Sequence, residues 1–302
     1  MLHTPILLLV FNRPEQALLV LRQIKLQQPE RLFIAADGPR HNRAGEAALC
    51  EATRTALLND IDWPCKVETL FRPHNLGCGK AVSAAIDWFF RHVEEGIILE
   101  DDCVPDPSFF SFCTVMLAKY RLNQNIMHIN GSNYQSGMLR GNASYYFSHY
   151  AHVWGWATWR RAWQYYDFTL YRYQHVSRQG LNNFLQLELQ SIYKAQTDTW
   201  DIQWFMSVWF NKGWVITPNI SLIKNIGYGK QATHTRSVPR WFNKIQYGKI
   251  EDIRHPDVDN IDEEADRYTI NTLYSPGGLS TGIKKTVKNN TLLYNLYKRI
   301  SR

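Results

Sequence analysis

The first 130 residues alternate between short apolar runs and longer stretches with helical spacing. Pro5–Phe11 is a continuous apolar run, the pattern of a strand covered on both faces. Pro14 suits a helix first turn, and Glu15–Gln27 follows with helical spacing. Arg31–Asp37 predicts a second strand, Ala44–Asn59 a helix, Cys65–Phe71 a third strand, Gly79–Val93 a helix, and Gly96–Glu100 a fourth strand. Pro107–Leu122 is helical again, and Ile126–Asn130 reads as a fifth strand. This order implies an α/β fold with a mostly parallel central sheet and right-handed crossovers.

Ligands in such sheets collect beyond the carboxyl ends of the strands. There the chain places Asn12 and Arg13, Asp37, His74 and Asn75, and the run Glu100-Asp101-Asp102. No GxGxxG opens the first helix, and no GxxxxGKS/T occurs. That argues against a dinucleotide-binding Rossmann enzyme and against a P-loop NTPase.

The second half has a different texture. Ser144–Trp163 is dense in rings. Gly180–Gln196 and Trp200–Lys212 have helical spacing, while Trp214–Thr217 and Ile220–Ile223 predict short strands broken by Pro218-Asn219. Asn225–Arg236 is a glycine-containing loop. Beyond Pro239 the pattern weakens: Asp257–Asp266 is acidic, and residues 282–302 carry Lys284, Lys285, Lys288, Lys298, Arg299 and Arg302 beside an apolar helical stripe. The chain thus divides into a domain over 1–236, with one half to about residue 130 and a second over 131–236. A C-terminal extension follows over 237–302.

Composition adds limits. Hydrophobic residues at 45% and charged ones at 20% describe a globular chain. The 11 Trp and 16 Tyr suit either a carbohydrate-handling surface or an aromatic core. A net charge of +7 favours an anionic partner, such as a phosphorylated donor or an acidic membrane face. Nucleic acid finds no support, because no RNP-like or helix-turn-helix signature occurs. The five cysteines lack CxxC spacing, so neither a zinc site nor a disulfide framework is expected, and a reducing cytoplasm is the simplest home. No apolar run approaches the roughly 18 residues of a membrane span, and the first one stops at Asn12-Arg13-Pro14.

Four constellations carry candidate chemistry. Three consecutive acids, Glu100-Asp101-Asp102, close an apolar strand, and their mutual repulsion invites a hard divalent ion with oxygen ligands. Asn12, Arg13, Asp37, His74, Asn75 and Lys80 together outline a nucleotide pocket. In it Asp37 accepts from a base or ribose, Arg13 or Lys80 neutralises phosphate, and the Asn75–Lys80 helix entry offers free N–H groups to an anion. Asp201, between Trp200 and Trp204, is the candidate base for an acceptor hydroxyl, with Asp198 as its competitor. The Asn225–Arg236 loop is a candidate lid, with His234 reaching a diphosphate or metal.

These segments resemble a known family. PILLLVFNRP, FIAADG, NLGCGKAVSAAIDWFF, GIILEDDCVPDPSFF, VWGWATW, TWDIQWFMSVWF and NIGYGKQATHT are similar to GT-A fold glycosyltransferases, in particular bacterial proteins resembling N-acetylglucosaminyltransferase I. The resemblance implies a Rossmann-like sheet and a Mn²⁺ or Mg²⁺ ion on Asp102. It implies Glu100 and Asp101 facing donor sugar and ribose, Asp37 near the base and Arg13 on the nucleotide. Inversion at the anomeric carbon follows, with Asp201 as base. Trp154, Gly155 and Trp156 then belong to the acceptor side. The expected activity is transfer of a hexosyl-type sugar from a nucleotide-diphosphate donor, UDP by resemblance, to a hydroxyl of a cell-surface glycan or glycolipid. The family's Golgi members carry a stem and membrane anchor, and neither is expected here. A bacterial enzyme at the cytoplasmic face is expected, with the basic tail touching the inner leaflet beside lipid-linked acceptors. The alternatives are a sugar nucleotidyltransferase and a non-catalytic carbohydrate-binding protein.

Overall fold

The computed structural model describes residues 1–227, 239 and 241–274. Its first strand, β1 (Ile6–Val10), is buried along its whole length because the two faces of the sheet are both covered. Ile6, Leu8 and Val10 point into one apolar core and Leu7 and Leu9 into the other. This two-residue alternation fed by a continuous apolar run is what a doubly covered strand requires. Burying a side chain such as Leu8 contributes about 1.5–3 kcal/mol.

The chain continues through α1 (Pro14–Gln27), β2 (Arg31–Ala36), α2 (Glu46–Asp60), β3 (Lys66–Phe71), α3 (Cys78–His92), β4 (Glu95–Glu100), β5 (Cys103–Pro105), α4 (Pro107–Tyr120) and β6 (Ile126–Asn130). Then come β7 (Tyr145–Ser148), β8 (Trp156–Trp159), α5 (Arg160–Trp163), α6 (Asn183–Tyr193), α7 (Asp201–Phe210), β9 (Trp214–Pro218), β10 (Ile223–Asn225) and α8 (Glu263–Leu273). The main sheet has eight strands in the order β3-β2-β1-β4-β8-β6-β9-β7. The first four are mutually parallel. β8 runs antiparallel to both neighbours, β9 is parallel to β6, and β7 closes the edge antiparallel to β9. The apolar sides of α1 and α4 cover one face, and those of α3, α6 and α7 cover the other. This is the mostly parallel, helix-flanked sheet expected of a GT-A architecture.

The departures from expectation lie in the second half. The ring-dense Ser144–Trp163 segment supplies β7, β8 and the short α5. The strand expected at Ile220–Ile223 instead runs from Ile223 to Asn225 and pairs antiparallel with β5. Ser221 is held elsewhere, bridging to Tyr247. The acidic stretch after Asp257 contains α8. Asp262 caps it by accepting from Ala265 N–H at 2.8 Å, and Glu263, Glu264 and Asp266 sit at its positive end. Asp266 also accepts from Ser148 Oγ at 2.5 Å and from His149, tying α8 to the end of β7. No helix among the described residues is long and apolar enough to cross a membrane. The basic 282–302 stretch and its membrane contact, together with His234 and most of the expected lid, lie outside the described residues.

Candidate active site

A cavity of about 600 Å³ opens where the parallel strands end. Val10 borders it at the end of β1 and Arg13 after it, Asp37 after β2, Arg72 and Asn75 after β3, Glu100 at the end of β4 and Asp101 and Asp102 after it. Trp154, Asp198, Thr199, Trp200, Asp201, Asn225 and Gly227 complete the wall from the other half of the chain. The strand-end rule therefore acts as geometry here.

The acids share one guanidinium. Arg13 Nη2 pairs with Asp101 Oδ1 and reaches Asp102 Oδ2 at 3.0 Å, while Arg13 Nε lies 3.3 Å from Asp101 Oδ2. Burial works against the Arg13 charge, but Asp101 and Asp102 outweigh it and raise its pKa. Asp101 is almost fully buried, and that burial pushes its carboxyl up to about 6 against the opposing pull of Arg13. Glu100 is pushed well above the carboxylate range, first by burial and then by Asp102, Asp101 and Asp201. One cation thus faces a surplus of negative charge.

That surplus bears on the expected metal. Among the described residues no three His, Cys, Asp or Glu side chains converge as a ready-made ligand set. A magnesium-type ion does not need one, since it binds through one or two carboxylates and completes its shell with phosphate oxygens and water. Asp102 fits that role. Its Oδ2 is engaged by Arg13, and among the described residues its Oδ1 has only a long contact from the Cys103 thiol at 3.5 Å. Gly227 leaves room there: a Cβ on it would lie 2.1 Å from Asp102 Oδ2.

Several expected roles change. Asp37 is saturated: it accepts from Gly38 N–H at 2.9 Å, from Asn75 Nδ2 at 2.8 Å and from Leu76 N–H at 3.1 Å on each oxygen. These three donors occupy most of the roughly four acceptor sites of a carboxylate. Asp37 and Asn75 therefore bind each other's loops together at the cavity wall, which leaves Asp37 little acceptor capacity for a base or ribose. Asn12 does not line the cavity; its Nδ2 donates to the buried Glu46, which also holds Arg40. Lys80 is exposed on the first turn of α3, away from the wall. The N–H groups opening α3 are not free for an anion, because those of Cys78 and Gly79 donate to Asp198 at 3.0 and 2.7 Å. Asp198 is consequently a cap for α3, and Asp201 keeps the place of the candidate base.

Asp201 opens α7 and accepts from Thr199 Oγ1. On the acceptor side only Trp154 of the three expected residues lines the cavity, with its ring against Tyr134 and Trp241. Gly155 is buried with φ +57, and a Cβ there would meet Ile223 at 2.4 Å, so it serves a tight turn. Trp156 has no exposed surface and stacks between His128 and Trp200. The pleat of β8 turns it beneath α7, which removes it from any acceptor contact.

Sequence reading missed two cations of the wall, Arg40 and Arg72. Arg72 immediately follows β3, with its N–H donating to Ala36 at 3.0 Å. The strand-end rule reaches it, since it lies two residues before His74 and three before Asn75.

No family model and no curated protein matches the chain. Among solved structures, HddC from Yersinia pseudotuberculosis is similar over 52% of this chain and 77% of its own, at 10% identity and a TM-score of 0.32. S. aureus TarS 1–349 is similar over 74% of this chain and 59% of its own, at 9% identity and a TM-score of 0.42. UDP-glucose pyrophosphorylase complexed with UDP-glucose is similar over 74% and 92%, at 9% identity and a TM-score of 0.38. These scores are too low for any of the three to say what this chain binds or does.

Proposed function

We propose that the chain is a metal-dependent, inverting glycosyltransferase that moves a sugar from a nucleotide-diphosphate donor, UDP-sugar by preference, to an acceptor hydroxyl. One observation carries the reading: a single cavity joins the Arg13–Asp101–Asp102 cluster, Glu100 and Asp201 at the carboxyl ends of parallel strands.

Each residue has a task it is equipped for. Arg13, held by Asp101, presents a fixed positive charge toward a diphosphate. Asp102 would hold a Mn²⁺ or Mg²⁺ ion, which when bound supplies Lewis-acid neutralisation of the leaving diphosphate. Glu100, on the cavity wall at the end of β4, faces the donor sugar and hydrogen-bonds one of its hydroxyls. Asp201 takes the proton from the acceptor hydroxyl. The freed oxygen attacks the anomeric carbon from the side opposite the diphosphate. The carbon–oxygen bond to the donor breaks, and its electron pair leaves with the nucleoside diphosphate, inverting the centre. Trp154 offers a ring face on the acceptor side. The acceptor is a glycan or lipid-linked sugar at a bacterial cell surface, reached from the cytoplasmic face.

Product analysis tests the reading. Nucleoside diphosphate released from a sugar nucleotide supports it. Pyrophosphate released from a nucleoside triphosphate would instead mark a sugar nucleotidyltransferase, and no turnover at all would favour a binding protein.

A further inference from the structure

We infer that Asp198 is a positioning residue: it anchors the segment carrying Asp201 to the first turn of α3. The inference rests on the reading of Asp201 as the base and extends it to what fixes the base in place.

The entry to α3 has no cap of its own. Its N-cap position is Gly77, at φ +82, which has no side chain to offer the free N–H groups of the first turn. Asp198 supplies that cap from about 120 residues along the chain. Its Oδ2 accepts from Cys78 N–H at 3.0 Å and its Oδ1 from Gly79 N–H at 2.7 Å. A carboxylate at a helix N-terminus also answers the positive end of the dipole.

Both glycines are shaped to this contact. A Cβ on Gly77 would fall 2.7 Å from Asp198 Oδ2. One on Gly79 would fall 2.6 Å from the Thr199 carbonyl oxygen and 2.9 Å from Asp198 Oδ1. Close backbone approach therefore continues from Asp198 into Thr199, which is itself bound to α7. Its carbonyl accepts from the buried Gln203 at 2.7 Å, and its hydroxyl donates to Asp201 Oδ1. The chain of contacts runs from α3 through Asp198 and Thr199 to the Asp201 carboxylate. α3 packs on the parallel half of the sheet, and α7 on the ring-rich half. The strut thus sets how far the base stands from the cavity wall that holds the donor.

Moving a catalytic group by about 1 Å lowers turnover on the order of 100-fold. Asp198→Ala removes the cap. Gly79→Ala keeps Asp198 and pushes the Thr199 carbonyl away, and alanine favours α3 itself, so it covers the case in which Asp198→Ala fails to fold. The assay is UDP release from the UDP-sugar that the unaltered protein turns over fastest, with Mn²⁺–UDP affinity and stoichiometry read by calorimetry. Both variants are expected to lower kcat about 100-fold while still binding one Mn²⁺–UDP per chain with unchanged affinity. Unchanged stoichiometry separates misplacement of the base from loss of folded protein. Asp198→Asn, retaining one acceptor oxygen, is expected to recover to within about tenfold of the unaltered kcat. Turnover within twofold of the unaltered protein in both variants would overturn the inference. So would a loss of UDP affinity equal to the loss of kcat, which would make Asp198 a direct contact of the donor. Asp201→Asn separates the two levels: full activity in it removes the base reading and the strut with it. An inactive Asp201→Asn beside a fully active Asp198→Ala removes the strut alone.

Discussion

At the end of β4 the chain leaves three carboxylates on a cavity wall, whereas at β8, the neighbouring strand, it turns Trp156 and Trp159 into the core. In the parallel half, apolar residues fill both faces and polar ones are pushed to the strand ends, where they converge. The ring-rich half gives the cavity little beyond Trp154, the Asp198–Asp201 segment, Asn225 and Gly227. Most of its aromatics pack against one another. Trp163 stacks on Tyr166 at 4.3 Å, and Trp156 lies between His128 and Trp200. Abundant rings are thus a packing solution first, and a binding surface only where one reaches the rim.

The sharpest break of this contrast is Asp201→Asn, which removes the one acid of the second half assigned to chemistry. It is expected to lower kcat by roughly 10²–10⁴-fold with donor affinity retained, as steady-state kinetics would show. Trp156→Ala tests the opposite claim, that a ring of the same half is core. It is expected to cost about 3–5 kcal/mol in denaturant unfolding. Trp154→Ala should instead leave stability within about 1 kcal/mol and raise the acceptor KM, because its ring is only half-buried.

A fourth test reads the ring core by pH. His128 accepts from Trp204 Nε1 at 3.0 Å and contacts the His152 carbonyl through Nε2 at 2.9 Å. Burial lowers its pKa from 6.5 to about 3. A base with a depressed folded pKa binds fewer protons in the native state than unfolded. Its contribution is full above pH 6.5 and is lost as pH falls from there toward 3. Between those limits the chain should lose about 1.4 kcal/mol per pH unit through this group. His128→Gln should flatten that slope in urea titrations at stepped pH. The smallest effect belongs to Lys80→Ala, whose residue stands outside the cavity; nucleotide affinity should change less than about twofold.

What was legible in the sequence follows the same division. β1, β2 and β4 declare themselves because doubly buried strands are apolar without interruption and end in polar residues, while the edge strand β3 is only half-buried and mixes polar with apolar residues. Glu100, Asp101, Asp102 and Arg13 could be gathered on that rule alone, whereas Asp201 was legible only as an acid between Trp200 and Trp204 at a helix start. The roles of Asp37 and Asn12 could not, because each depends on a partner distant in sequence: Asn75 and Leu76 for one, Glu46 for the other. The Asp198 cap is hidden for the same reason. α8 was missed although Asp262 and the acids after it form a helix start, because its apolar side is short and only Ala265 and Thr269 are buried. β7 and β8 were missed because residues that pack on rings show neither a period of two nor one of 3.6.

The most direct test of the central claim is thermal unfolding with UDP, GDP and CMP, each with and without Mn²⁺, on the unaltered protein and on Asp102→Asn. One nucleoside diphosphate, UDP, should stabilise the unaltered protein only with Mn²⁺, by about 2.7 kcal/mol at 100 times its Kd, and Asp102→Asn should lose that gain. Stabilisation that is the same without the metal, or absent for every nucleotide, would contradict a cavity built to hold a cation and a diphosphate together.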